Sequence, residues 1–107
     1  MINLNKKIYV AGHRGLVGSA IIRNLKKKGY KNIITVERKN LDLTNQIKVL
    51  NFLKKKKPNF MYIAAAKVGG VLSNLRNKAD FITENLLIQT NLIHGAYLSG
   101  IKELIFL

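Results

Sequence analysis

A chain of 107 residues, 48% of them hydrophobic, carries enough apolar material for one small core and is not composed like a disordered segment. It has no cysteine, which excludes a disulfide framework and a thiolate metal centre, and no apolar run near the ~20 residues of a membrane helix. The formal charge of +14 invites a polyanionic partner, but most of the basic residues are lysines gathered where helices end and complement the helix dipole, so the pattern reads as a solvated surface without a nucleic-acid partner.

Residues 1–5 are too few and too polar for a secretory signal, so a cytoplasmic location is expected. Residues 6–11 read as a first strand, and a helix is expected over 16–28. Leu16, Val17, Ala20, Ile21 and Leu25 recur at helical spacing, Lys26 to Lys28 fill the last turn, and Gly29 suits the C-terminal cap. Between strand and helix lies Gly12-His13-Arg14-Gly15-Leu16-Val17-Gly18. Gly12 permits a tight turn, Gly15 a close approach of backbone amides to a pyrophosphate, and Gly18 close packing of the helix. The helix N-terminus adds unpaired amides and a positive dipole end. The Gly-x-x-Gly-x-x-Gly spacing is a variant of the commoner dinucleotide signature, and its place between strand and helix gives it weight.

A second strand is expected over 32–37, then a loop over 38–43. Asp42 or Thr44 is expected to cap a helix that runs to residue 57 before Pro58, with Ile47, Val49, Leu50, Phe52 and Leu53 on its apolar faces. Residues 60–65 form the third strand and 64–70 a loop of small residues. A long helix over 79–98 is apolar on more than one side and is expected to be covered on two. Residues 102–107 make a fourth strand. Strand and helix alternate, which implies an α/β Rossmann-like doubly wound parallel sheet, represented by its first four strands, with right-handed crossovers and helices on both faces. Because the last strand stops within Leu104-Ile105-Phe106-Leu107, the chain is expected to be the front part of a larger enzyme.

In such sheets the end of the second strand separates the two nicotinamide coenzymes. Glu37 suits the ribose 2′-hydroxyl of NAD; Arg38, with Arg14 from the glycine turn, suits the 2′-phosphate of NADP. Two arginines against one glutamate favour NADP, with an NAD-linked relative and a non-catalytic dinucleotide-binding module as the alternatives. Ala64, Ala65 and Ala66 lie at the strand end where open sheets bind ligands, and their size leaves room for a cofactor. Catalytic groups are missing: no tyrosine is followed four residues later by lysine, His13 belongs to the phosphate turn, and His94 and the Asp80–Glu84 pair read as packing or surface residues. No Gly-Lys-Ser/Thr phosphate loop occurs.

Residues 10–20, the block Ala64-Ala65-Ala66-Lys67-Val68-Gly69-Gly70 and the block that runs from Ala79-Asp80-Phe81-Ile82 to Asn91-Leu92-Ile93-His94 together resemble the GDP-L-fucose synthase family of extended short-chain dehydrogenases/reductases. The resemblance covers nearly the whole chain. It implies an NADP-dependent enzyme that epimerises and reduces GDP-4-dehydro-6-deoxy-D-mannose to GDP-L-fucose. It also implies that Gly12 to Gly18 hold the pyrophosphate, that Arg38, Lys39, Asn40, Leu41, Asp42 and Leu43 border the adenosine, that Leu107 touches the cofactor, and that the long helix forms a homodimer. The family's catalytic Ser, Tyr and Lys and its cysteine–histidine acid/base pair have no counterpart in these residues, nor does its substrate domain. Lys78 stands where the family usually has proline.

Overall fold

β1 (Lys7–Ala11) ends in four apolar residues, Ile8 to Ala11, all buried. Such a run needs cover on both faces. The computed structural model, which describes residues 2–65 and 78–107, shows how it is covered. β1 pairs in parallel with β2 (Asn32–Ile34) on one side and β3 (Phe60–Ile63) on the other, and β3 pairs in parallel with β4 (Leu104–Phe106). The order is β2-β1-β3-β4.

Side chains alternate across the sheet. Ile8 and Val10 pack with Ile21, Ile22 and Leu25 of α1 (Leu16–Lys27). Tyr9 and Ala11 join the larger cluster, with Val49 and Leu53 of α2 (Gln46–Lys56) and Ile88, Leu92 and Ala96 of α3 (Lys78–Leu98). Helices therefore cover both faces, as a doubly wound sheet requires. The Tyr9 ring meets Phe52 edge-on with centroids 5.1 Å apart, and burial pushes the Tyr9 hydroxyl above its ordinary pKa. At Gly95 a Cβ would stand 3.1 Å from a Leu53 methyl, so glycine lets α3 approach α2 closely. Asn91 is the buried polar residue of this interface, and its side-chain amide donates to the Leu43 carbonyl at 2.9 Å.

Several boundaries differ from the sequence expectation. β2 stops at Ile34, not 37: its last pair is Ile34 with Tyr9, although β1 runs on to Ala11. Beyond that point the Glu37 carbonyl accepts from the amides of Asn40 and Leu41, which turns the chain. The cap of α2 is Asn45, whose side chain accepts from the Lys48 amide; Asp42 spends its carboxylate on the Thr44 amide and hydroxyl. Leu16, Val17 and Ile47, placed on buried faces by periodicity, are exposed. Among the described residues α3 is covered on one side, where two were expected: Ile82, Leu86, Ile93 and Tyr97 form a stripe opposite Ile88 and Asn91 and are 41–76% exposed. Among the described residues no helix is long and apolar enough to cross a membrane.

Candidate functional site

The connections from β1 diverge: α1 leads to β2 on one side, and α2 returns across β1 to β3 on the other. The strand order thus reverses between β1 and β3, and ligands of open α/β sheets bind in the crevice beyond the carboxyl ends of such a pair. Gly12 follows β1 there and Ala64 follows β3, whose amide donates to the Ala11 carbonyl at 3.0 Å.

The three glycines of the turn answer to different neighbours. Gly12 has φ +88°, and a Cβ would lie 2.6 to 2.8 Å from backbone atoms of Ala64 and Ala65. Gly18 is buried, and a Cβ there would overlap the Gly12 carbonyl oxygen. The fold itself therefore demands glycine at both positions. Gly15 is different: its φ of −73° suits any residue, and among the described residues the nearest atom beyond its chain neighbours to a Cβ would be the Gly12 carbonyl oxygen, 3.5 Å away. It is also the N-cap of α1 with no side-chain cap, and the first turn of α1 holds no acidic residue. Gly15 donates to Gly12 and accepts from Ser19, which leaves the amides of Leu16, Val17 and Gly18 without an intrahelical partner. Exposed Leu16 and Val17 flank this open, positively polarised helix end.

Arg14 and Glu37 meet beside the turn. The Arg14 Nε donates to Glu37 Oε2 at 2.6 Å and its terminal nitrogen to Oε1 at 2.8 Å; the His13 Nε2 lies 3.4 Å from Oε1. The Arg14 hydrogen bonds, with a smaller contribution from His13, hold the Glu37 carboxyl down at about 2. The sequence tally counted Arg14 and Glu37 separately, whereas one edge of the Arg14 guanidinium rests on Glu37.

The remaining candidates divide. Arg38, Lys39 and Asn40 are exposed next to Glu37. Leu41 is buried in the core beside Tyr9 and Val49, so its side chain is occupied by packing; Leu43 packs against the same cluster. Thr44 hydrogen bonds hold the Asp42 carboxyl below its ordinary range, and Asp42 acts in the turn that leads to α2. Ala64 and Ala65 lie against Gly12. Ala66, with residues 67–70 of the same loop, lies outside the described residues. Leu107, half-exposed, donates its amide to the Ile63 carbonyl and so stands at the same sheet edge. His94 is exposed on α3 and stacks on Tyr97, far along the chain from the turn.

Two features escaped the sequence reading. The Arg14–Glu37 pairing joins residues 23 apart and needs the β1–β2 adjacency to be seen. The Asn91 clamp on Leu43, which fixes the loop after β2 to α3, had one signal: a polar side chain in the middle of an apolar helix.

Comparison with known proteins places this geometry. Residues 8–107 match the model of the NAD dependent epimerase/dehydratase family. The chain is 51% identical over 107 residues to GDP-L-fucose synthase 1 of Arabidopsis thaliana, covering all of this chain and 33% of that protein. A GDP-mannoheptose C4 reductase from Campylobacter jejuni, solved with NADP bound, superposes with a TM-score of 0.92 at 42% identity, over 99% of this chain and 31% of its own. A GDP-L-fucose synthetase from Naegleria fowleri, bound to NADP, superposes with a TM-score of 0.82 at 25% identity over the same 99% and 31%. The chain thus spans about a third of the length of the relatives it matches. With a parallel sheet, a glycine turn at its switch point and a match over nearly its whole length, this chain belongs to the NAD dependent epimerase/dehydratase family.

Proposed function

We propose that these residues form the NADP-binding part of an enzyme of the GDP-L-fucose synthase type, one that epimerises and reduces GDP-4-dehydro-6-deoxy-D-mannose. The observation that carries the reading is Gly15: the fold fills the space at Gly12 and Gly18 but leaves Gly15 open at an uncapped helix N-terminus. An anion that binds there approaches the backbone to a distance a side chain would block. The turn from Gly12 to Gly18 holds the pyrophosphate against the amides of Leu16, Val17 and Gly18. Arg38, Lys39 and Asn40 border the adenosine, Ala64 to Ala66 give the dinucleotide room, and Leu107 lines the crevice from β4. When bound, the coenzyme supplies the hydride for the reduction.

The proton-transfer groups of the reaction lie outside these 107 residues, since no tyrosine here is followed four residues later by lysine. The GDP-sugar is a partner of the whole enzyme. The exposed apolar stripe of α3, Ile82, Leu86, Ile93 and Tyr97, supports a homodimer through that helix. A cytoplasmic location without a nucleic-acid partner completes the reading: the lysines in the last turns of α1 and α2 serve the helix dipoles.

Side-by-side fluorescence titration with NADPH and NADH tests the site. Saturable NADPH binding that raises the unfolding temperature by linkage is expected. Indifference to both coenzymes would refute it.

A further inference from the structure

The topology gathers charge at one end of the molecule. Helices that connect parallel strands run against them, so α1 and α2 end beside the strand starts, on opposite faces of the sheet. Two contacts mark the meeting: the Lys7 Nζ donates to the Lys56 carbonyl at 3.1 Å, and the Lys31 amide to the Leu4 carbonyl at 3.3 Å. Lys26, Lys27, Lys28 and Lys31 therefore stand on one side of the strand starts and Lys54 to Lys57 on the other. Lys6, Lys7 and Lys102 lie between them. All are exposed except Lys6, which is half-buried. Among the described residues Glu103, 3.8 Å from Lys6, is the acidic side chain at this end. Glu37 and Asp42 follow β2, and Asp80 and Glu84 lie near the start of α3, all towards the opposite edge. The helix dipoles account for the lysines in the last turns of α1 and α2, but not for Lys6, Lys7, Lys31 and Lys102.

This end also exposes apolar side chains. Ile2 is 73% exposed and Leu4 39%. Ile2 lines an open depression of about 410 Å³ with Lys6, Tyr30, Asn59 and Glu103. An anionic bilayer surface takes both features: its headgroups attract the amines, and its boundary layer accepts the aliphatic groups. A nucleic-acid surface would favour arginine forks and open aromatic faces. These helix ends and strand starts contain no arginine, and the Phe60 ring already carries the Lys6 amine 5.5 Å from its centroid.

We propose that this lysine-rich end docks on an anionic phospholipid bilayer, with Ile2 and Leu4 entering the headgroup boundary. The coenzyme crevice lies at the other edge of the sheet, so docking leaves it open. The inference does not rest on the coenzyme reading.

Co-sedimentation of the full chain with vesicles tests it. Binding is expected to vesicles of phosphatidylserine and phosphatidylcholine, to be absent with phosphatidylcholine alone, and to fade with added salt. Each lysine near such a surface is worth about fivefold in affinity, so Lys54→Gln, Lys55→Gln and Lys56→Gln together are expected to weaken binding about a hundredfold. Lys39→Gln, Lys48→Gln and Lys78→Gln remove the same charge towards the other edge and are expected to leave it nearly unchanged. Ile2→Ser is expected to weaken vesicle binding about tenfold without weakening binding to a single-stranded RNA oligonucleotide. The substituted side chains are exposed, so circular dichroism melts should match wild type. No binding to the anionic vesicles, equal binding to neutral ones, equal loss in the two triple variants, or vesicle binding unmoved by Ile2→Ser would each overturn the proposal. An RNA oligonucleotide that binds more tightly than the vesicles at the same salt would also overturn it and give the surface to nucleic acid.

Discussion

Substituting alanine for Gly18 and, separately, for Gly15 separates what the fold needs from what a ligand needs. At Gly18 the new methyl overlaps the Gly12 carbonyl oxygen and lies 3.2 Å from the His13 Cα. These are backbone atoms, and Gly12 cannot retreat, because it already presses against Ala64 and Ala65. Forcing an extra methyl into packed surroundings costs about 1–3 kcal/mol, and the rigid obstacle puts this case at the upper end. The better helix propensity of alanine returns at most ~1 kcal/mol in a first turn. A net loss of about 2 kcal/mol follows, which in a domain of this size lowers Tm by roughly 10 °C. At Gly15 the backbone suits alanine and, among the described residues, the nearest atom beyond its chain neighbours is 3.5 Å away, so stability should change by no more than about 0.5 kcal/mol. Coenzyme binding should nonetheless weaken, because the methyl stands where the pyrophosphate approaches. Circular dichroism melts and NADPH titrations of the three proteins give both readouts. If Gly18→Ala melts with wild type, the helix is not seated on the turn as described. If Gly15→Ala keeps wild-type affinity, the phosphates do not lie there.

Acid should weaken the fold in a defined window. Folding lowers the Glu37 carboxyl from about 4.5 to about 2, so its contribution is fully present above 4.5 and is lost as the pH falls from there towards 2; Asp42 adds in the same direction. Urea midpoints measured across that window should fall more steeply for wild type than for Glu37→Gln, and identical slopes would remove the pair from the stability account. Asn91→Ala leaves the Leu43 carbonyl without its donor and should cost about 1–2 kcal/mol, with faster amide exchange around residues 40–45. Unchanged exchange there would mean that Asn91 does not anchor the loop. Lysine at both Ile93 and Tyr97 should leave the fold intact, since both are exposed, but turn a dimer into a monomer in sedimentation; a wild-type monomer would refute the dimer proposal.

The alternation of apolar runs with helical periodicity carried the order and type of every described element, because each is dictated by local pattern and by the need to cover a sheet on two faces. The ends of elements were less legible for a reason outside the local pattern. Val36 and Glu37 continue a β-like run and β1 runs on to Ala11, but pairing ends at Ile34 and the Glu37 carbonyl takes the amides of Asn40 and Leu41, which turns the chain. The cap of α2 shows the same limit. Asp42, Thr44 and Asn45 are all good caps, and the choice fell to Asn45 once Asp42 had taken the Thr44 amide and hydroxyl. Within the candidate site, glycine spacing located the turn but did not distinguish the two glycines the protein needs from the one left open. Charge counting missed how the groups are arranged. Weighing two arginines against one glutamate treats the three as independent, and independence is a property of space. Arg14 and Glu37 share two hydrogen bonds, at 2.6 and 2.8 Å, and Arg38 is the exposed guanidinium beside them.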